Sequence, residues 1–205
     1  MSQAAPPDAA GDREPPSLRE RLRTETRQDH EALDALFDGM LEDESHGRYR
    51  GFVAMNLLAH RAIEPQLAGA LTETGWRPGD RLAAAERDAR ALRLETFEPP
   101  PFPLDPLALP AAFGVAYVLE GSRLGARFML KALQAREADA AGNGLPTHYL
   151  QASGDPSPFR NLLTAMNEAG MTQDDQTLAV EAARRTFRYF RQIAATLPHD
   201  GGPRT

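Results

Sequence analysis

The sequence contains no cysteine, and this absence excludes several kinds of site at once. A chain without cysteine cannot form disulfides, hold an iron–sulfur cluster, use a thiolate nucleophile or build a cysteine-based zinc site. The same absence is consistent with a reducing cytoplasm, where we place the protein. No apolar run approaches the ~20 residues that a transmembrane helix needs. The N-terminus also lacks the basic start and apolar block of a secretory signal peptide.

An excess of positive charge is missing as well. The formal net charge is −6 at pH 7, so the total charge gives no attraction for nucleic acid or anionic membranes, and we expect neither partner. No glycine-rich fingerprint marks a flavin or nicotinamide site. The length of 205 residues is enough for one domain with a single core. We predict that domain over residues 17–197, between disordered tails at 1–16 and 198–205.

The pattern of apolar residues predicts an all-α protein. Apolar side chains recur at helical spacing, and no convincing period-2 strand interrupts them. We predict helices over about 17–39, 48–71, 80–94, 110–136, 158–169 and 173–197. Ser17 and Glu20 form a capping-box pattern at the start of the first helix, and Pro65 is expected to kink or break the second. The six prolines between residues 98 and 110 predict an extended connector.

The most informative segment is 117–128, which places Gly121 and Gly125 four residues apart inside a predicted helix. A glycine in a helix interior costs roughly 1 kcal/mol relative to alanine. Two glycines at this spacing strip one patch of the helix of side chains, so a flat ligand can lie against the backbone. Ser122 adds a small hydroxyl beside that patch. The spacing alone, however, favours close packing against another helix.

A second constellation lies in the first predicted helix, which carries Arg23, Arg27, His30 and Asp34. Arg23 and His30 share a face because seven residues make almost two helical turns, and Asp34 lies one turn beyond His30. This arrangement allows His30 to bind a haem iron through one ring nitrogen while Asp34 orients the other. The arginines can meet haem propionates. Taken singly, these residues are more typical of a solvated helix face.

Together the segment 117–128 and the octapeptide Arg-Gln-Asp-His-Glu-Ala-Leu-Asp at 27–34 resemble the bacterial haem oxygenase family. The subgroup they most resemble is the phytochrome-associated, biliverdin-producing one, and the resemblance covers about residues 17–197. It implies a single-domain helical bundle with haem held between a proximal and a distal helix. It also implies oxidative cleavage of haem to biliverdin, carbon monoxide and ferrous iron, with haem as both substrate and cofactor.

The resemblance assigns roles by position. His30 matches the axial ligand of the haem iron. The residues that it marks as catalytic are His30, Gly121, Ser122 and Gly125. The residues that it marks as haem-binding are Arg23, Arg27, Asp34, Tyr117, Arg184 and Phe187. Two of these assignments have an alternative. Arg184, assigned as a propionate contact, can equally be a surface charge. Phe187, assigned as a wall of the haem pocket, can equally be a core aromatic.

The resemblance also implies partners. These are O2, an external electron donor of the ferredoxin or flavin type docking near Arg19, Arg23 and Arg27, and a bacterial phytochrome as a candidate acceptor of biliverdin. We expect a water network to supply protons, with Asn56 and His60 as candidates to anchor it. Two alternatives stay open: a non-enzymatic haem-binding or sensing protein on the same fold, and an unrelated helical interaction domain whose glycines only pack helices.

Overall fold

The structure, a computed structural model, describes residues 15–95, 98–121, 123–139 and 144–197. These residues contain no strand, which confirms the predicted all-α class. The helices are α1 (Leu18–Glu25), α2 (Arg27–Asp34), α3 (Gly47–Ala70), α4 (Arg81–Ala91), α5 (Leu109–Gly121), α6 (Arg123–Asp139), α7 (His148–Ala152), α8 (Ser157–Glu168) and α9 (Gln173–Thr196). None of these helices is both long and apolar enough to cross a bilayer. Of the predicted tails, 1–14 and 198–205 lie outside the described residues, and the domain span of 17–197 stays a prediction.

The first predicted helix is in fact two helices. α1 begins after Ser17, which forms the predicted capping box with Glu20: the Ser17 hydroxyl accepts the Glu20 N–H, and the Glu20 carboxylate accepts the Ser17 N–H. α1 ends at Glu25, and Thr26 (φ −108°, ψ 6°) separates it from α2. The Thr26 hydroxyl donates to the carbonyl of Leu22 at 2.7 Å, a local bond of the kind that bends helices.

α3 runs through Pro65 without ending, so the expected break at this proline is wrong. A proline in a helix interior costs about 3 kcal/mol. Ile63 and Leu67, on either side of it, are completely buried, and burial of each such side chain contributes about 1.5–3 kcal/mol. Core packing therefore outweighs the missing backbone donor. Between α3 and α4, Gly75 adopts a left-handed conformation (φ 72°).

The predicted glycine helix is described in two parts, α5 up to Gly121 and α6 from Arg123, and Ser122 between them lies outside the described residues. The proline-rich connector that precedes α5 forms neither helix nor strand over 98–108. It is tied to the rest of the molecule by Tyr189, whose hydroxyl donates to the Pro100 carbonyl and whose ring meets Phe102 edge-on at 5.1 Å. The connector therefore belongs to the same packed unit as the helices that flank it.

α9 packs against the helices that carry most of the predicted haem-binding residues. It packs along the length of α5 and also contacts α1, α2 and α3. Gly114 permits the close approach of α5, because a Cβ at this position would lie only 1.9 Å from the Ala179 carbonyl oxygen. Phe187 and Phe190 are buried on the same helix. One helix thus supports α2 from one side and α5 from the other.

Candidate functional site

His30 lies on α2 with one ring nitrogen held by a carboxylate. Its Nδ1 is 3.0 Å from Asp34 Oδ2, and the side chain is 48% exposed. The hydrogen bond to Asp34 raises the pKa of His30 above its ordinary value, while partial burial acts in the opposite direction. A carboxylate can only accept, so Nδ1 carries the proton, and in the neutral form of the ring Nε2 presents its lone pair. This is the arrangement of an axial metal ligand with its orienting partner, as predicted for the pair.

The imidazole of His30 rests against Phe187 of α9. The two ring centroids are 5.8 Å apart, and the rings meet edge-on at 72°. Phe187 is only 4% exposed, so it is a core aromatic that also forms the wall beside the ligand residue. The two interpretations of Phe187 are therefore compatible, and its contact with haem stays a prediction.

The distal side is an open stretch of backbone. For both Gly121 and Gly125, an added Cβ would meet no described atom beyond its own helix within 4 Å. Helix packing, which the spacing alone favoured, is therefore wrong for these two glycines, and Gly114 is the glycine that permits close packing. Phe128, three residues beyond Gly125 on the same face of α6, is 74% exposed. Ser122, the fourth predicted catalytic residue, lies outside the described residues.

A polar edge lies one turn before Gly121. Burial raises the pKa of Tyr117, and the positive charges of Arg19 and Arg23 act in the opposite sense. The fold thus brings the arginines of α1 close to the tyrosine of α5, as their predicted common role requires. Arg27 is exposed and lies 3.8 Å from Glu31, so it is also available to an anion at the surface.

Arg184 contacts the junction of α1 and α2. Its Nε and Nη2 atoms donate to the Glu25 carbonyl at 3.2 and 3.0 Å. The carboxylates of Glu25 and Asp29 each lie 4.0 Å from its guanidinium. These contacts use two of the donors that the predicted propionate contact would need.

A buried hydrogen-bonded chain of four side chains joins α3 to α7. Glu64 Oε1 lies 2.6 Å from His60 Nδ1, His60 Nε2 lies 3.2 Å from the Tyr149 hydroxyl, and that hydroxyl donates to Asn56 Oδ1 at 2.7 Å. The Asn56 amide is oriented by its Nδ2 donation to the Phe52 carbonyl at 2.8 Å.

The orientation of Asn56 fixes the direction of the whole chain. Because Tyr149 donates its proton to Asn56, its oxygen accepts from His60 Nε2. His60 Nδ1 also lies within hydrogen-bond distance of Glu64, at 2.6 Å. Asn56 and His60 were expected to anchor a water network, and that role stays a prediction. Tyr149 was not expected, because a residue 89 positions away from His60 gives no local signal in the sequence.

An ion pair between Arg81 of α4 and Glu120 of α5 lies behind the distal glycines. Arg81 Nη2 is 2.8 Å from Glu120 Oε1, and the two side chains are 1% and 0% exposed. Arg81 also donates to the Leu119 carbonyl of α5. The buried pair thus joins α4 to α5 immediately before the bare patch.

The buried pair also lies close to the hydrogen-bonded chain. Burial lowers the pKa of His60, with the charge of Arg81 acting in the same direction and those of Glu64 and Glu120 opposing it.

Comparison with known proteins gives two further findings. A family model described as heme oxygenase matches residues 105–196. Heme oxygenase PigA of Pseudomonas aeruginosa is 27% identical over 192 residues, which cover 87% of this chain and 94% of that protein. The chain is therefore similar to haem oxygenases over most of its length. A heme oxygenase of Xanthomonas campestris pv. campestris is also 27% identical, over 128 residues that cover 61% of this chain and 73% of that protein.

A solved member of the haem oxygenase family has the same fold. The NO- and CO-bound heme oxygenase from Neisseria meningitidis superposes with a TM-score of 0.66 at 23% identity, covering 87% of this chain and 90% of that one. Together with the sequence matches, this likeness agrees with the predicted resemblance to bacterial haem oxygenases, and it confirms the all-helical architecture.

Two features of the protein lie away from the predicted site. A groove of about 1180 Å³ is lined by the 3-10 turn Ala35–Phe37, the start of α3 and the end of α9, with Arg188 and Arg191 among its residues. It contains neither His30 nor the distal glycines. The second feature is the pair of His60 and Glu64, which bond to each other, and the described residues contain no group of three suited to a metal ion.

Proposed function

We propose that this chain is a haem oxygenase that cleaves haem to biliverdin, carbon monoxide and ferrous iron, using O2 and electrons from an external donor. The observation that carries the proposal is a histidine oriented by Asp34 together with two open, side-chain-free positions at Gly121 and Gly125. Similarity to haem oxygenases supports both the enzyme class and haem as substrate and cofactor. We assign this activity to residues 17–197.

The residues present fit a planar, doubly anionic macrocycle. His30 is half exposed and keeps Nε2 for the iron, since Asp34 engages Nδ1. The open backbone at Gly121 and Gly125 accepts a flat face that any larger side chain would push away. We assign propionate binding to Arg23 and Tyr117, since the charge of Arg23 acts on Tyr117, and to Arg27 at the surface.

Haem supplies the iron that activates O2 as well as the carbon skeleton that is oxidised, so the protein mainly orients its substrate and provides protons. His30 would hold the iron through Nε2. The backbone at Gly121 and Gly125 would line the haem pocket without adding a side chain to it. His60 Nδ1 and Glu64 are hydrogen-bonded, and we propose that ordered water carries protons from this chain towards Gly121.

The electrons come from another protein, since the sequence has no flavin or nicotinamide fingerprint. We propose a ferredoxin- or flavin-type donor that docks on the exposed arginines of α1 and α2, Arg19, Arg23 and Arg27. These form a basic surface on a chain of net charge −6, which suits an acidic donor. We further propose a cytoplasmic location, and a bacterial phytochrome as the biliverdin acceptor to test first.

A hemin titration followed by turnover tests the proposal. The protein should bind one hemin with a histidine-ligated spectrum and, with ascorbate or a reductase system in air, should form biliverdin that is identified by chromatography. His30→Ala should lose the ligand signature. His148→Ala is the matched control, because His148 is also 48% exposed and its Nδ1 also meets a carboxylate, Asp88, at 2.7 Å. Hemin that binds but is never opened would favour a haem-binding or sensing protein, and no binding would refute both.

A further inference from the structure

We propose that Arg184 positions His30 by holding the break between α1 and α2, and that it does so instead of binding a haem propionate. The inference rests on the proposed haem site and concerns how its proximal ligand is aimed. It makes Arg184 a positioning residue, since it acts through the backbone that carries His30.

The first observation is where the guanidinium donates. In an uninterrupted helix the Glu25 carbonyl would accept the N–H of Asp29. Here α1 ends at Glu25, and that carbonyl accepts two bonds from Arg184, from Nε at 3.2 Å and from Nη2 at 3.0 Å. A cation at the C-terminal end of a helix also interacts favourably with the helix dipole. Arg184 therefore stabilises the end of α1, four residues before Asp29 and five before the proposed ligand.

The second observation is that α1 and α9 are joined by two arginines reaching in opposite directions. Arg184 reaches from α9 to the end of α1, where the carboxylates of Glu25 and Asp29 also face it at 4.0 Å. Arg21 reaches from α1 to α9, where its Nη atoms lie 3.3 Å from the Thr177 hydroxyl, and its Nε binds Glu25 at 2.8 Å. The position of the α1–α2 junction is thus fixed by α9.

The third observation is that the same turn of α9 contacts the ligand ring itself. Phe187 follows Arg184 by three residues and so shares its face of α9. Its ring meets the imidazole of His30 edge-on, with centroids 5.8 Å apart. One turn of α9 therefore sets both where α2 begins and how the His30 ring lies, and these two settings determine the direction of Nε2.

Hemin and its dimethyl ester separate positioning from propionate binding, because the ester has no carboxylates. If Arg184 acts through Glu25, Arg184→Gln should weaken the binding of both compounds by the same factor, at least threefold. If Arg184 binds a propionate, only hemin binding should weaken, which would overturn the inference. Arg23→Gln is the matched control, since a propionate contact at Arg23 predicts weaker hemin binding and unchanged ester binding.

The iron–histidine stretching band of the ferrous complex, measured by resonance Raman, supplies a second readout. It should shift or broaden in Arg184→Gln, and an unchanged band would overturn the inference. Arg184→Lys keeps the charge but not the paired donors. We expect it to resemble Arg184→Gln, and a band like that of the wild type would show that the charge alone suffices and refute the role of the paired hydrogen bonds.

Amide hydrogen exchange of the haem-free protein tests the contact independently of the proposed function. Peptides spanning 22–30 should exchange faster in Arg184→Gln than in the wild type, while peptides from α3 and α5 should not change. Unchanged exchange at 22–30 would overturn the inference. If the wild type binds no hemin, the proposed function fails, and the exchange experiment still decides whether Arg184 holds the helix break.

Discussion

Replacing Gly125 by alanine should make the haem-free protein more stable while weakening hemin binding. Gly125 lies inside α6, and a Cβ there meets no described atom within 4 Å, so the methyl group costs the apoprotein no steric strain. Alanine is better than glycine in a helix interior by about 1 kcal/mol. For a protein of this size that gain raises Tm by roughly 2–4 °C. The same methyl group stands where the macrocycle must approach the backbone, and we expect hemin affinity to fall at least tenfold, or about 1.4 kcal/mol.

Two other glycines provide the controls. Gly51 is also helical, within α3, and also has no described atom within 4 Å of an added Cβ. Gly51→Ala should therefore raise Tm like Gly125→Ala but leave hemin affinity unchanged, even though Gly51 lines the large groove near α9. Gly114→Ala should have the opposite effect on stability, because its Cβ would lie 1.9 Å from the Ala179 carbonyl oxygen. Overpacking of this kind typically costs about 1–3 kcal/mol.

Thermal melts of the apoproteins by circular dichroism and hemin titrations at the Soret band measure the two effects separately. Hemin affinity of Gly125→Ala equal to that of the wild type would refute the assignment of the distal face. A loss of affinity in Gly51→Ala would place the macrocycle in the groove instead.

Three further predictions concern the surroundings of the site. Phe128→Ser should lower hemin affinity about tenfold or more, because burial of a phenylalanine against the ligand is worth about 1.5–3 kcal/mol. The apoprotein Tm should not change, because Phe128 is 74% exposed. Unchanged Soret titrations would show that Phe128 is not part of the site. Glu120→Gln leaves the Arg81 charge buried and unpaired, so urea unfolding should show a loss of about 3–5 kcal/mol, with partial recovery in the double variant with Arg81→Met. A loss below about 1 kcal/mol would contradict the buried pair. Burial lowers the pKa of His60 in the folded protein, so as pH falls below about 6.5 the histidine is protonated first in the unfolded state. The free energy of unfolding should therefore decline by up to about 1.4 kcal/mol per pH unit. His60→Gln should have a shallower pH dependence, and identical slopes would argue against a neutral, buried His60.

The features that the sequence predicted correctly are those that depend on neighbours along the chain. Helical periodicity and the Ser17–Glu20 capping box involve residues three or four apart, so the geometry of one helix determines them. The pairing of His30 with Asp34 has the same origin, because a spacing of four places two side chains within reach on any helix. The family resemblance then added roles that spacing by itself left open.

The features that could not be predicted depend on groups brought together by the fold. The break at Thr26 was missed because the Glu25 carbonyl is bound by Arg184, 159 residues away. Gly114 and Gly125 are chemically the same residue, and only the packing of α9 against α5 makes the first a contact and leaves the second open. The exposure of Phe128 likewise depends on which residues the fold brings next to it.

Arg184 and Arg81 each bind a carbonyl on a helix that leads to one side of the proposed site. Arg184 of α9 binds Glu25 at the end of α1, before the helix of His30, and Arg81 of α4 binds Leu119, two residues before Gly121. The Glu25 carbonyl lies where α1 has ended, so the cation suits the negative end of that helix dipole. Contacts from other helices stabilise both segments, so neither segment needs to bury the face that it presents to the proposed site. This explains how His30 can stay half exposed and the glycines uncovered in the haem-free protein, with both faces left available to the substrate.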